Sequence, residues 1–346
     1  MTDLAGPNDP ATRPAPGGTS TRPALAGAAT RTTLGGLEIR PARSDELSIC
    51  AEIWRESLNN YIVRLNQPPI PDDLTGITRL YNHLAETDPE RFVVAVDAAL
   101  GTIAGFASAV TRGRLWFLSM CFVRPDRQTA GIGRALVEAI LPPAGTDVVL
   151  ATATDSAQPI SNALYSSFGI VPRMPLFSIS GYVTEPERLP GLPAGVAAVP
   201  FESIVADSPG GSGHAELSEV VGALDRELLG VEHPQDHRFL RIGGRHGFLY
   251  RASDGADLGY GYAAESGRIG PLAVRDPALL GPALGQLLQA VPFRGARAVW
   301  VPGMAGPAVT MLLQAGLRFE DFPILIAWNR PFADFERYLP ISPGLL

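Results

Sequence analysis

Hydrophobic and polar residues in the first half of the chain alternate with the periods of strands and helices. The pattern predicts a strand over 37–41 and a helix over 44–59, which is capped by Ser44 and carries Asp45 and Glu46 in its first turn. A second helix over 73–85 precedes three strands with a period of two, and these predict an antiparallel meander. The three strands are predicted over 92–96, 103–111 and 115–123.

Helices and strands continue to alternate after the meander. The pattern predicts a helix over 131–141, a β-branched strand over 148–151, a helix over 159–168 that ends at Gly169, and a strand over 177–181. This order favours an α+β fold in which helices flank one mostly antiparallel mixed sheet.

The second half repeats the same order of elements, which predicts two tandem domains. Its elements are predicted as a helix over 215–229, strands over 247–251, 258–263 and 269–274, a helix over 277–290, a strand over 298–301, a helix over 307–314 and a strand over 323–328. We therefore expect a disordered tail over 1–35, a first domain over 36–183, a proline-rich linker over 184–195 and a second domain over 196–346.

Composition and charge speak against several classes of protein. A net charge of −7 speaks against nucleic-acid binding, because such binding needs a basic surface. Cys50 and Cys121 both lie in apolar stretches, where a disulfide or a thiolate metal site is not expected. No apolar run reaches the roughly 18–20 residues of a membrane span, so we expect a cytoplasmic protein that binds no membrane.

A glycine-containing turn joins the third strand of the meander to the next helix. Gly131 and Gly133 allow the backbone to approach a ligand, and the free N–H groups of the first helical turn favour a pyrophosphate. Without other context, such a turn also fits a glycine-rich connection with no chemical role. The residues of this predicted anion-binding loop are Arg127, Gln128, Thr129, Ala130, Gly131, Ile132, Gly133 and Arg134.

The loop resembles the Gln/Arg-x-x-Gly-x-Gly/Ala signature of the GNAT acetyltransferase family. A second resemblance lies in 161–170, where Leu164 and Tyr165 precede Gly169 as in the fourth helix of that family. The resemblance covers about 37–181 and implies a splayed sheet that binds acetyl-CoA and transfers its acetyl group directly to an amine. It also implies that backbone groups of Cys121, Phe122 and Val123 contact the pantetheine.

In that family the tyrosine usually protonates the leaving coenzyme A thiolate, which implies this role for Tyr165; an amphipathic core residue is the alternative. This chain departs from the family pattern at Gln158, where many relatives carry Asn, and it has no carboxylate in 116–120. Asp155 is a candidate base, although Asp after a strand is more often a turn residue or a helix cap. Trp54 and Tyr61 are candidate acceptor contacts.

The second half lacks both signatures and resembles a degenerate GNAT domain that shapes the acceptor cleft. No Gln-x-x-Gly-x-Gly follows 271–277, and Leu312 stands in the place of Tyr165. His233 and His237 could bind a metal if their segment is helical, but Pro234 lies between them. The alternatives are a substrate contact or a solvated loop. We expect a solvated loop without metal. Tyr250, Tyr260 and Tyr262 are expected in the core.

The sequence therefore predicts an N-acetyltransferase with acetyl-CoA and an amine-bearing acceptor, either a small molecule or a peptide, as its partners. The competing hypothesis is a non-catalytic acyl-CoA-binding regulatory or scaffold protein.

Overall fold

The structure is a computed structural model that describes residues 32–34, 36–128, 130–207 and 212–346. Thr129 of the predicted anion-binding loop lies outside the described residues, as does nearly all of the predicted tail over 1–35.

The first half follows the predicted order of elements. Strand β1, which the sequence did not predict, precedes the others and pairs with β2. The bounds are β1 Thr32–Leu34, β2 Leu37–Pro41, α1 Leu47–Ile62, α2 Thr75–Thr87, β3 Phe92–Asp97, β4 Ile103–Arg112, β5 Leu115–Val123, α3 Ile132–Ile140, β6 Val149–Asp155, α4 Pro159–Ser166 and β7 Val171–Gly181.

The second half repeats this order with four elements that the sequence did not predict, namely β8, α5, α7 and β14. Its bounds are β8 Val196–Pro200, α5 Phe201–Asp207, α6 Gly213–Leu228, α7 Pro234–Ile242, β9 Arg245–Ala252, β10 Asp257–Ala264, β11 Arg268–Val274, α8 Pro277–Leu287, β12 Arg297–Pro302, α9 Gly306–Gln314, β13 Arg318–Trp328 and β14 Tyr338–Leu339. Among the described residues, no helix has the length and apolar character required to cross a membrane.

All strands of the described residues belong to one sheet, in which the two halves exchange their last long strands. The order is β1-β2-β3-β4-β5-β6-β13-β7-β12-β11-β10-β9-β8, and β14 pairs with β11. Strand β13 of the second half pairs with β6 and β7, with Ile324 opposite Asp155. Strand β7 of the first half pairs with β12, with Ile179 opposite Val299. Each half therefore completes its sheet with a strand from the other.

The hydrophobic core is also shared between the halves. One buried cluster contains Tyr81 and Phe106 from the first half together with Leu224 and Tyr262 from the second. A second cluster lies around α8 and α9, and a third lies between α3 and the first-half strands. Because apolar burial is the main driving force for folding, the shared cluster joins the halves thermodynamically.

Buried charges also cross between the halves. The Arg112 guanidinium on β4 donates to both carboxylate oxygens of Asp236 on α7, each at 2.8 Å. The His83 ring on α2 lies 2.6 Å from the same carboxylate. The pKa of Asp236 is held well below its usual range: burial opposes the ionised form, but the hydrogen bonds from Arg112 and His83 outweigh it.

Two sequence predictions are wrong at this level. Ser44 does not cap α1, because the chain enters through a 3-10 turn over Ser44–Glu46 in which the buried Glu46 carboxylate accepts the Arg43 N–H at 2.8 Å. The solvated loop expected around His233 and His237 is buried, and most of it is the first turn of α7. Pro234 begins that helix, a position where its missing N–H costs nothing.

The predicted linker lies between β7 and β8 and packs against the second half. The backbone N–H groups of Thr184 and Glu185 both donate to the Ala315 carbonyl, at 3.0 and 3.3 Å. Leu189 is buried in the cluster around α8 and α9. This connection is therefore part of the packed structure.

Candidate functional site

Strands β5 and β6 pair at one end and separate at the other. Their parallel pairing runs from Leu115 and Val149 to Leu118 and Thr152, where the Thr152 hydroxyl donates to the Leu118 carbonyl at 2.8 Å. Beyond this point the residues 121–123 pair only with β4, and no described strand pairs with their other edge. An extended ligand can hydrogen bond to that free edge, as an added strand would.

The far end of the free edge already holds two side chains. The Val123 carbonyl accepts the Ser57 hydroxyl of α1 at 3.1 Å and the Gln128 amide at 3.0 Å. Gln128 is exposed to solvent, and its side chain folds back onto β5. Ser57 is a contact that the sequence analysis missed, although it lies one helical turn from Trp54 and from Tyr61 on α1.

The slot between β5 and β6 leads to the N-terminus of α3, which no described side chain caps. Gly131 takes the N-cap position in the left-handed region with φ 78°, a conformation that favours glycine. The N–H groups of Ile132, Gly133 and Arg134 lack acceptors within the helix. Free N–H groups at a helix start, together with the helix dipole, favour the binding of an anion such as phosphate.

Two arginines flank this helix start. Arg127 forms an ion pair with Asp97 at 3.0 Å, and this contact is the main reason that the pKa of Asp97 is lowered. Arg134 donates to the Ser167 hydroxyl at 2.8 Å and stacks over the Phe168 ring at 5.0 Å. Both therefore hold the loop in place while they keep positive charge beside it.

Tyr165 lies on α4 beside the slot and is 6% exposed. It packs in the same cluster as Ile132 and Leu136 of α3. Burial raises its pKa well above the usual range, with further contributions from the nearby Cys121 thiol and from the charge of Asp155. The phenol therefore stays protonated in its buried position next to the free edge of β5.

Asp155 ends β6 and meets Tyr61 of α1. The Tyr61 hydroxyl donates to Asp155 Oδ2. Burial, and then the nearby charge of Asp321, raise the pKa of Asp155 to about 6. Of the side chains predicted for this region, the structure joins Tyr61 to Asp155, whose charge also acts on Tyr165, whereas Trp54 is half-buried against the shared core.

The second half contributes to this site through β13. The β13–β7 register shifts between Glu320 and Ile324, so the intervening residues form a bulge. Asp321 in this bulge has φ 54°, and the Phe322 ring lies 6.5 Å from that of Tyr61. The sequence analysis missed both residues, because only the strand exchange brings them to the end of β6.

The equivalent places in the second half are filled by the chain itself. Strands β11 and β12 pair only at Arg268 and Ile269, and β14 then pairs with Leu272 and Ala273 where the slot would be. The Asp276 carboxylate caps α8 by accepting the Ala278 N–H at 2.8 Å. Both the slot and the anion site are therefore occupied by protein groups.

Comparison with known proteins agrees with this geometry. Residues 52–170 match the model of the acetyltransferase (GNAT) family. None of the curated proteins compared with this chain matches it in sequence.

Solved structures with the same fold cover most of the chain. A putative acetyltransferase from Pyrococcus horikoshii is 17% identical with a TM-score of 0.66, over 91% of this chain and 98% of its own. A GCN5-related N-acetyltransferase from Sphaerobacter thermophilus is 18% identical with a TM-score of 0.56, over 88% of this chain and 100% of its own. A tandem GNAT protein from the clavulanic acid biosynthesis pathway is 17% identical with a TM-score of 0.51, over 85% and 99%. At these identities the likeness shows the fold, which is a tandem of two GNAT-like units.

Proposed function

We propose that the first half, in which residues 52–170 match the model of the acetyltransferase (GNAT) family, transfers the acetyl group of acetyl-CoA directly to an amine of a small molecule or peptide. The observation that carries this proposal is the contrast between the halves. The free edge of β5 and the uncapped start of α3 are open, whereas β14 and Asp276 fill their counterparts.

The proposal assigns the cofactor to the slot and the loop. The backbone of Cys121, Phe122 and Val123 would pair with the pantetheine, and the N–H groups at the start of α3 would bind the pyrophosphate. Arg127, Gln128, Thr129, Ala130 and Arg134 would surround it. This position brings the thioester toward the region between Tyr165 and Asp155.

In the transfer, the neutral amine attacks the thioester carbonyl carbon, a C–N bond forms and the C–S bond breaks. The departing thiolate takes a proton from the Tyr165 hydroxyl, which its surroundings keep protonated. Asp155, ionised above about pH 6, accepts the proton from the amine, and Tyr61 orients its carboxylate. Asp155, Asp321 and Glu320 give this end of the site a negative charge, which favours a cationic acceptor.

A Tyr165→Phe variant tests the chemistry. We expect it to bind acetyl-CoA as the unmodified chain does, but to release coenzyme A about 10²–10⁴-fold more slowly with amine acceptors, because the general acid is lost. The measurement is thiol release across a panel of polyamines, aminoglycosides and peptides. Tyr182→Phe is the matched control, since Tyr182 is 62% exposed at the end of β7.

The competing hypothesis makes a different prediction for the same assay. A non-catalytic acyl-CoA-binding protein would bind acetyl-CoA but would show no amine-dependent release with any acceptor. Unchanged turnover in Tyr165→Phe would remove this residue from the mechanism.

A further inference from the structure

The second half contains a buried cluster of metal-ligating side chains that the proposed acetyl transfer does not use. It consists of Asp225 on α6, His233 before α7 and His237 on α7, which are 0%, 1% and 6% exposed. One ligand atom from each lies within 4.8 Å of the others. Asp225 Oδ2 is 2.8 Å from His237 Nε2 and 3.4 Å from His233 Nε2.

Helix α7 explains why two histidines separated by a proline converge. Pro234 is the first residue of the helix, so it begins the turn rather than breaking it. His233 and His237 are four residues apart and therefore lie on one face. Their ring centroids are 4.3 Å apart.

The buried His233 ring has the surroundings expected of a metal ligand. Neither of its ring nitrogens has a hydrogen-bond partner, although the residue is 1% exposed. The nearest carboxylate oxygens, Asp225 Oδ2 at 3.4 Å and Asp236 Oδ2 at 3.5 Å, are too far away or poorly aligned for that. A buried polar nitrogen without a partner is costly, and a metal ion bound to Nε2 removes this cost.

The polar atoms of the three side chains that would not contact the metal lie against neighbouring polar groups, as in known metal centres. The Tyr260 hydroxyl donates to Asp225 Oδ1 at 2.6 Å, and the Tyr262 hydroxyl lies 3.0 Å from His237 Nδ1. His233 Nδ1 faces Asp236, which Arg112 and His83 fix in turn. Such outer contacts set the orientation and tautomer of ligating histidines.

Charge favours a divalent cation in the same place. The buried carboxylates of Asp88 and Asp236 pair with the Arg112 guanidinium, whereas the buried Asp225 carboxylate meets two imidazoles and the Tyr260 hydroxyl. Buried charges need a partner, and a doubly charged ion supplies it.

A cleft gives access to this position from outside. It has a cavity volume of about 30 Å³ and is lined by Asp225 and His237 together with Glu232, Arg241 and Tyr262. An ion can enter along it, and water can occupy a fourth coordination position on that side.

We propose that Asp225, His233 and His237 bind one divalent transition-metal ion, with Zn²⁺ as the best match. Two imidazoles, one carboxylate and an open fourth position are a common zinc ligand set. The ion ties α6 to α7 and, through Asp236, fixes the contact with Arg112 and His83 of the first half. This proposal is independent of acetyl transfer.

Zinc titration of the full chain after removal of metals by a chelator tests the site. By calorimetry we expect one equivalent to bind, and we expect affinity to fall at least about a hundredfold in both His233→Ala and His237→Ala. Tyr260→Phe should weaken binding about 10–100-fold, because it removes an outer contact of Asp225. His246→Ala is the matched control, since His246 is exposed on β9 and should bind as the unmodified chain does.

Cobalt substitution gives a readout that needs no variant. The unmodified chain with one equivalent of Co²⁺ should show the intense visible bands of four- or five-coordinate cobalt. The proposal is overturned if the unmodified chain binds no stoichiometric Zn²⁺, if cobalt gives only a weak octahedral spectrum, or if both histidine variants keep the affinity. Near-UV circular dichroism of each variant confirms that a lost site does not reflect a lost fold.

Discussion

The ionised Asp155 carboxylate lowers the free energy of unfolding at neutral pH, although the proposed transfer needs this ionised form. Its pKa is raised from 3.8 to about 6 by burial and by Asp321, so the folded state binds the proton more tightly than the unfolded chain does. When the pKa of a carboxyl group is higher in the folded than in the unfolded chain, protonation stabilises the folded state. This stabilisation is fully present below the pKa of the unfolded chain and is lost as the pH rises through the pKa of the folded state. At pH 7 the ionised Asp155 therefore destabilises the fold, by about 1–3 kcal/mol.

An Asp155→Asn variant separates the two effects. We expect its free energy of unfolding at pH 7 to rise by about 1–3 kcal/mol, because the buried charge is gone while an oxygen remains for the Tyr61 hydroxyl. Acetyl transfer should fall about 10²-fold or more, since the proton acceptor is lost. Denaturant unfolding and steady-state kinetics measure the two quantities.

The pH profile of the unmodified chain is the companion measurement for Asp155. Its kcat/KM should rise as pH passes through about 6, where Asp155 ionises. Asp254→Asn, in the exposed turn between β9 and β10, is a control that should change neither stability nor the profile. Full activity in Asp155→Asn, together with an unaltered pH profile, would show that another group accepts the proton.

At the scale of elements, two copies of one strand-turn-helix unit differ in how the helix begins. Helix α3 begins after Gly131, which supplies no side chain, so its first N–H groups are free for a ligand. Helix α8 begins after Asp276, whose carboxylate accepts the Ala278 N–H. The start of α3 therefore leaves its N–H groups for the ligand that we propose, whereas α8 uses its Ala278 N–H for internal stabilisation.

Asp276→Ala tests that difference. We expect the free energy of unfolding to fall by about 0.5–2 kcal/mol, because the cap is lost, while acetyl-CoA binding stays unchanged. Asp276→Asn is the matched control, since Asn also caps helices and should retain most of the stability. Denaturant unfolding and calorimetry give both values, and a loss of acetyl-CoA affinity in Asp276→Ala would show that α8 takes part in the cofactor site.

Elements fixed by local signals could be predicted from the sequence. The meander of β3, β4 and β5 has strand periodicity, and Gly131 marks the start of α3 to within one residue. Helix α7 was not predicted, because its polar residues resemble a loop and are buried by distant partners on α2, α6, β4 and β10. The bulge at Asp321 has no local pattern of its own, so its place beside Asp155 follows only from long-range pairing.

At the scale of the whole molecule, the strand exchange joins the two halves. Without β13, β6 and β7 would each lose a neighbour, and the free backbone groups of two central strands would be exposed. The shared core and the Arg112–Asp236 pair add to this dependence. The repeated pattern in the sequence predicts the order of elements in each half. It does not predict which strands become neighbours in the sheet, because that depends on pairing between distant segments.

The exchange predicts that neither half folds by itself. Residues 32–183 expressed alone should aggregate, and co-expression with 184–346 should restore a folded complex, because each fragment supplies the strand that the other lacks. The full chain should unfold in a single calorimetric transition. A soluble, cooperatively folded first-half fragment would contradict this account.

The most direct test of the central claim is calorimetric titration with acetyl-CoA, with the unmodified chain compared against Gly131→Asp and Gly131→Asn. Both side chains tolerate the left-handed backbone at this position, so only the negative charge separates them. We predict one equivalent bound per chain, retained by Gly131→Asn, weakened at least about tenfold by Gly131→Asp and unaffected by Ala278→Asp at the start of α8. No binding, two equivalents, or equal affinity of the two Gly131 variants would contradict the assignment of the cofactor to the first half.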